Sequence, residues 1–354
     1  MTDQLQAWSA RIRRAAADGT ALCLRGGGTK DFYGRTPAGE VLDTRAYAGI
    51  VSYEPSELVV TARAGTPLVE LEAALAEAGQ MLAFEPPRFA PGGTVGGCVA
   101  AGLAGPRRAA VGGVRDFVLG VRLLDGRGDD LRFGGQVMKN VAGYDVSRLM
   151  AGSLGTLGLI LELSLKVLPR PVAEATLAFD LDEAAALEAV NAWGGQPLPV
   201  SATAWRAGAL HVRLSGAAAA VDAAVRRLGG EILAPDAAAP LWTGLRHHTD
   251  TFFAEAAPLW RLSLPSDAAP LGLSGETLVE WGGAQRWVKG DLPAAALRAQ
   301  VAAVGGHATL FRHGDRAGEV FHPLAPAMAA VQRRLKQTFD PVGVFGPGRM
   351  SGAF

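Results

Sequence analysis

The residues best suited to chemistry lie in glycine clusters. Arg25-Gly26-Gly27-Gly28-Thr29-Lys30 directly follows a strand-like stretch, Thr20–Leu24. Backbone N–H groups in such a turn form a concavity for anions, and Arg25 and Lys30 can add charge-assisted hydrogen bonds. The competing reading is a flexible turn between strands. A longer series runs from Pro91-Gly92-Gly93-Thr94-Val95-Gly96-Gly97 through Gly112-Gly113-Val114-Arg115-Asp116 to Gly152-Ser153-Leu154-Gly155-Thr156-Leu157-Gly158. Thr94–Ala101 can open a helix whose N-terminus meets an anion, with Gly96 and Gly97 allowing close approach. The helix dipole supplies only about 0.3–1 kcal/mol. Tight binding must therefore come from many backbone bonds and the burial of a large ligand. Clusters spread this widely suggest a large anionic cofactor wrapped in backbone. Neither the Gly-Lys-Ser/Thr ending of a Walker A loop nor any G-x-G-x-x-G occurs, which argues against the two commonest phosphate-binding designs.

Side chains for proton transfer are sparse near these clusters. All six histidines lie beyond residue 210. Arg246, His247, His248 and Arg312 are candidates for contacts in a cleft. The bland alternative is ordinary core or surface histidines. His247 and His248 are sequence neighbours and would diverge on a strand, or sit about 100° apart on a helix. Arg115 and Asp116 could equally be a solvated ion pair. The cysteines, Cys23 and Cys98, are too few to ligate an iron–sulfur cluster and make no disulfide framework.

The elements that must position these residues read as follows. A short amphipathic helix covers residues 5–18. Short strands are predicted at Val41–Asp43, Ile50–Tyr53 and Leu58–Gly65. Thr66 is expected to cap a helix with Pro67 at its first position, Leu68, Leu71 and Leu75 at helical spacing, and Gly79 at its end. Phe117–Leu124 and Leu131–Phe133 predict a hairpin across Asp125-Gly126. Leu161, Leu163, Leu165 and Val167 alternate with Glu162, Ser164 and Lys166 in a further strand. Pro169-Arg170-Pro171 marks a boundary. Beyond it, six strand-like pieces alternate with alanine-rich helices, the pattern of an antiparallel sheet covered by helices, an α+β layer. Six of seven tryptophans fall here, as core or as a docking face. A helix over Pro326–Phe339 precedes a Gly/Pro tail, apolar enough to pack back on the body, with Arg349 available to an anion or a carbonyl.

With 354 residues, the chain has room for two or three domains. Basic and acidic residues balance at 34 each, so no global field favours nucleic acid. The N-terminus lacks the basic start and apolar core of a signal peptide, and the longest uncharged run, Phe89–Pro106, is a poor membrane span. The expected location is the cytoplasm, with peripheral attachment to the inner membrane through partners as a further option.

Taken in order, these motifs carry a family resemblance. Residues 20–171 resemble the FAD-binding type 4 domain of the vanillyl-alcohol-oxidase/PCMH flavoproteins. The resemblance rests on Arg25–Lys30, Tyr53-Glu54-Pro55, Pro91–Gly97, Arg115–Gly120, Gly152–Gly158 and the end Phe339-Asp340-Pro341 to Pro347-Gly348-Arg349-Met350. Within that family, Lys139–Leu149 and Gly305–Arg312 are similar to the FAD-binding subunits of bacterial glycolate oxidases. The implied fold is α+β: a PCMH-type two-subdomain FAD-binding domain at 1–171, a smaller α+β cap domain with an antiparallel sheet at 172–325, and a C-terminal helix and tail at 326–354 packing back on the first. The resemblance implies FAD. Gly26–Lys30 and Gly92–Gly97 would hold its pyrophosphate. Arg115, Asp116, Gly155, Thr156, Gly158 and Ile160 would line its adenosine and flavin portions. No histidine in the FAD-domain loops could tether the flavin, so non-covalent FAD is expected. Catalytic relatives carry a His-x-Gly-Asp-Gly-Asn-x-His run, which His307–Arg312 and His313-Gly314-Asp315 do not reproduce, so no metal is expected. The implied activity is oxidation of glycolate, or a similar small 2-hydroxy acid, to glyoxylate. A larger FAD-binding subunit and an iron–sulfur subunit would be the partners. The alternatives are a self-sufficient 2-hydroxy-acid dehydrogenase and a scaffold that binds no flavin; the nearly complete glycine set argues against the last.

Overall fold

The computed structural model describes residues 2–136 and 144–352. Lys139–Gly143 of the glycolate-oxidase-like motif lie outside the described residues. The chain opens with α1 (Thr2–Asp18), which buries Trp8, Ile12 and Ala15 against Leu22, Leu42 and Leu161. β1 (Leu22–Arg25) and β2 (Glu40–Asp43) pair in parallel. β3 (Ile50–Glu54) and β4 (Val59–Arg63) form a hairpin. Next come α2 (Leu68–Glu77), β5 (Gln80–Met81), α3 (Val95–Ala101), α4 (Arg108–Val111), β6 (Val118–Leu124), β7 (Asp130–Gly134), α5 (Val146–Leu149), β8 (Leu159–Lys166) and β9 (Leu168–Pro169). Strands order as β3-β4-β8-β6-β7 in an antiparallel sheet, and β5 pairs with β9. The periodic Leu68, Leu71 and Leu75 of α2 are buried over this sheet with Val95, Cys98 and Val99 of α3. That burial, at roughly 1.5–3 kcal/mol for each large apolar side chain, is what holds the short α3 in place.

The cap of α2 differs from the sequence reading. Pro67 occupies the N-cap position, and Thr66 is fully buried. Its hydroxyl accepts from Gly49 N at 3.0 Å and donates to Gly49 O at 3.1 Å. Thr66 thus fastens a loop, and Gly93 O accepts the hydrogen bond from Leu68 N in the first turn.

A second sheet follows. Its elements are β10 (Ala173–Asp180), α6 (Glu183–Gly194), β11 (Val200–Arg206), β12 (Ala209–Gly216), α7 (Ala218–Leu228), β13 (Glu231–Ile232), α8 (Pro235–His247), β14 (Leu259–Ser263), β15 (Glu276–Glu280), β16 (Gln285–Lys289), α9 (Ala294–Ala303) and β17 (His307–Arg312). The order β13-β10-β12-β11-β15-β16-β14-β17 is antiparallel throughout. Sequence periodicity predicts all but β13 and β16. β16 escapes because Gln285 and Arg286, polar by type, are buried; the Arg286 guanidinium donates to the carbonyls of Gly283, Ala268 and Ala269. Trp242, Trp260 and Trp287 are buried, and Trp193 and Trp205 pack partly buried against the core, so most of these tryptophans serve it.

α10 (Pro326–Phe339) and the tail return to the first body. Phe345 bridges Leu22 in parallel, with Leu22 N donating to Val344 O at 2.7 Å. Buried Lys336 donates to Asp340, to Thr156 O and to Phe345 O at 2.6–2.8 Å. The two sheets meet through an aromatic cluster, Tyr33 and Leu103 with Phe253, Trp287 and Phe311, and through an ionic one. In the latter, Glu85 accepts from Arg107 N at 2.8 Å and from Arg213 Nη2 at 2.8 Å, and Arg107 reaches Glu174 at 3.1 Å.

Candidate functional site

The end of β1, the start of α3 and the turn before β8 border an open groove. Their closeness depends on missing side chains: a Cβ on Gly27 would collide with the carbonyl of Gly92, and one on Gly26 with the Thr94 hydroxyl. Thr94 caps α3, its Oγ1 accepting from Gly97 N at 3.2 Å. The tail closes one side. Arg349 is buried and donates to the carbonyls of Arg35, Lys30 and Asp31.

Of the residues expected at the site, Arg25, Gly26, Gly27, Gly28, Thr29, Lys30, Thr94, Gly96, Gly97, Gly155, Gly158, Ile160 and Arg349 line this groove. Six others do not. Pro91, Gly92 and Gly93 form the turn behind it, where Gly92 backs onto Gly27. The Arg115 side chain points to solvent, 3.8 Å from Asp116, whose other oxygen accepts from Gly113 N at 2.8 Å. Thr156 is buried, donating to Ser153 O at 2.7 Å. The groove also takes in Cys23, Leu24, Thr44, Ala100, Ala101 and Leu154. Sequence reasoning missed these small and apolar residues because on a helix or strand they read as core. The one available signal was adjacency: Leu154 precedes Gly155 and takes φ 51°.

The cations of the groove are in unequal states. Arg25 pairs with Asp31 at 2.6 Å. Arg349 is spent on carbonyls. The Lys30 ammonium makes no hydrogen bond or ion pair among the described residues. Its ammonium lies 5.8 Å from the centre of the Phe89 ring, and burial pulls its pKa below the ordinary lysine value.

The four catalytic candidates divide into two places. Arg246 donates to Glu72 and, at 3.1 Å, to Pro86 O; His247 Nδ1 accepts from Arg88 N at 3.3 Å. Burial, with Arg246 and Arg88 nearby, brings the His247 pKa down to about 4. His248 and Arg312 face the aromatic cluster. His248 is the left-handed C-cap of α8, its ring stacked on Phe253 at 3.8 Å, edge-on to Trp287 and Phe89. Its Nδ1 is buried without a hydrogen-bond partner among the described residues, and desolvation first, then Arg312 and Arg261, holds the ring neutral. The Arg312 guanidinium lies 4.4 Å over Phe32 and 5.1 Å over Phe89. Among the described residues, no three His, Cys, Asp or Glu side chains converge as a metal site. No helix among them is long and apolar enough to cross a membrane.

A backbone-lined groove at a capped helix start, with cations and an apolar end, fits a dinucleotide cofactor. The family described as FAD binding domain matches residues 3–134. Solved structures of alkyldihydroxyacetonephosphate synthase superpose with a TM-score of 0.66 at 16% identity, covering 95% of this chain and 73% of that one; at this identity they bear on the fold alone. The molecule is an FAD-dependent oxidoreductase of the PCMH-type α+β fold. Among curated proteins, glycolate oxidase subunit GlcE of Escherichia coli (strain K12) is 48% identical over 348 residues, 98% of this chain and 97% of that protein. Glycolate oxidase subunit GlcD of Bacillus subtilis (strain 168) is 34% identical over 155 residues, 43% of this chain and 33% of that protein. The D-lactate dehydrogenase of Anaerostipes hadrus is 37% identical over 123 residues, 34% of this chain and 25% of its own. The chain belongs to the family of FAD-binding flavoproteins that contains the glycolate oxidase subunit GlcE.

Proposed function

We propose that this chain is the FAD-binding subunit of a glycolate oxidase complex that converts glycolate to glyoxylate and passes the electrons to partner subunits. One partner would be a larger FAD-binding subunit and another an iron–sulfur subunit. The carrying observation is the likeness to GlcE along nearly the whole of both chains. The two cysteines, both free and one of them buried, support placing any iron–sulfur cluster in a partner. In this reading residues 1–171 and the tail 326–354 hold the cofactor and 172–325 cover it. When bound non-covalently, FAD supplies the acceptor for the two electrons released as the C–H bond beside a hydroxyl breaks. The loops Gly26–Lys30 and Thr94–Gly97 hold the diphosphate through backbone N–H groups. Gly155, Gly158 and Ile160 line the remainder, and the aromatic cluster keeps water from the cap side.

The purified chain is expected to show a flavin spectrum that glycolate alone does not bleach, and to co-purify with its partners as a complex in which glycolate bleaches it. Rapid bleaching of the isolated chain would instead favour a self-sufficient 2-hydroxy-acid dehydrogenase. One observation speaks for that second reading: Arg312 is half-buried without a carboxylate partner among the described residues, close to the neutral His248. A cation and a base so placed are what a carboxylate-bearing alcohol requires.

A further inference from the structure

The molecule has a second opening, a cleft between the two bodies, which shares no lining residue with the glycine groove. Glu72, Glu85 and Arg107 line it from the first body. Glu174 of β10, Arg213 of β12 and Arg246 of α8 line it from the other side. Arg170, at the crossing from one body to the other, is exposed and completes the lining.

Cations outnumber acids here. One oxygen of Glu85 serves both Arg107, at 3.3 Å, and Arg213, at 2.8 Å. Glu72 is divided between Arg246 and Arg88, the latter at 3.3 Å. Glu174 meets Arg107 at 3.1 Å. Arg170 gives its backbone N–H to Gly79 O at 2.8 Å, and its side chain has no acid partner among the described residues. Five guanidinium groups thus share three carboxylates, an excess of two positive charges. Arg107, Arg213 and Arg246 make their contacts through Nε and Nη2, and each keeps Nη1 without a hydrogen bond among the described residues. Arg107 and Arg213 are buried, where an uncompensated charge is costly until an anion completes it. Desolvation first, and the neighbouring Arg107 after it, pulls the Arg213 pKa below the ordinary arginine value against the attraction of Glu85.

A guanidinium fork matches a carboxylate or a phosphate with two parallel hydrogen bonds. The lining holds no aromatic side chain, so it offers a ring-bearing ligand no face to stack on. We infer that this cleft binds a compact dianion, a small dicarboxylate or a phosphate group, at the junction of the two bodies. Its two charges match the local excess, and it joins cations contributed from both sides of the junction. The site stands whatever the glycine groove holds.

Calorimetric titration of the full chain tests this, with FAD in excess, malonate and inorganic phosphate as the two probes, and ionic strength held constant with chloride. One saturable site is expected for at least one probe, and the tighter of the two shows whether carboxylates or phosphate is the better fit. Arg170→Gln is expected to weaken that probe on the order of tenfold, the worth of a hydrogen bond to a charged group. Arg115→Gln, the same change of charge on a side chain that points to solvent, is expected to weaken it less than about twofold. Unchanged thermal melts in chloride alone certify that both variants are folded. The absence of saturable binding by either probe overturns the inference, as does equal weakening by the two substitutions. Binding that Arg170→Gln leaves untouched also overturns it, by placing the anion outside the cleft.

Discussion

Glu280 shows what a single buried carboxyl can report. It sits at the end of β15, 3% exposed, with Trp287 Nε1 donating to it at 2.6 Å and Gln285 Nε2 at 3.1 Å. Desolvation outweighs these bonds and lifts its pKa to about 7 from an ordinary 4.5. The folded state therefore holds this proton where the unfolded chain has released it. Stability falls as pH rises from about 4.5 through 7, because the native state binds more protons over that window. Glu280→Gln, which keeps an acceptor for Trp287, is expected to remove that slope and to stabilise the protein above pH 7 by on the order of 3 kcal/mol. Urea unfolding of both proteins at pH 5 and pH 8 measures it; equal slopes would refute it. Nothing in the sequence distinguishes Glu280 from a surface glutamate, since its burial is set by a strand partner, Gln285, that periodicity did not reveal. The glycines were different. Gly26, Gly27 and Gly96 were legible because their type is itself the signal of close approach, whereas Arg115 turned to solvent and Asp116 to the backbone of Gly113.

At the scale of elements, helices and strands with regular apolar spacing were readable: α2, β8, α10 and most of the second sheet follow from periodicities of 3.6 and 2. What could not be read was how the two sheets face each other. That contact runs through Glu85, Arg107, Glu174 and Arg213, charged residues that single-sequence reasoning assigns to solvent. Arg107 and Arg213 are only 6% and 5% exposed and share Glu85. Glu85→Gln leaves two buried guanidinium groups with Glu174 as their remaining acid. A loss of about 3 kcal/mol is expected, at the low end for breaking a buried ionic partnership. The effect should concentrate at the junction: proteolysis near Pro169–Pro171 should accelerate while each sheet retains its circular dichroism. An unchanged cleavage rate would show that the aromatic cluster alone holds the junction.

For the whole molecule, the groove draws on segments far apart in the chain: Arg25–Lys30, Thr94–Gly97, Gly155–Ile160 and Arg349. A ligand there bridges the first loop, the central helix and the tail, so binding should stabilise the entire first body. Saturation at a hundredfold excess over Kd is expected to add about 2.7 kcal/mol to unfolding. Gly27→Ala, whose new Cβ would strike the Gly92 carbonyl, should forfeit most of that gain. Thermal melts with and without FAD decide it; an equal rise in the variant would place the cofactor elsewhere. The tail gives this arrangement a direction in time. Phe345 pairs with Leu22, Gly346 N donates to Leu22 O, and Arg349 ties down the carbonyls beside Lys30. A ribosome delivers β1 and its loop first and these residues more than three hundred positions later. A nascent chain that has already folded both sheets still lacks one wall of the groove. Cofactor loading is therefore expected to await the synthesis of Arg349, and chains truncated before Val344 are expected to emerge colourless, which an absorbance spectrum checks.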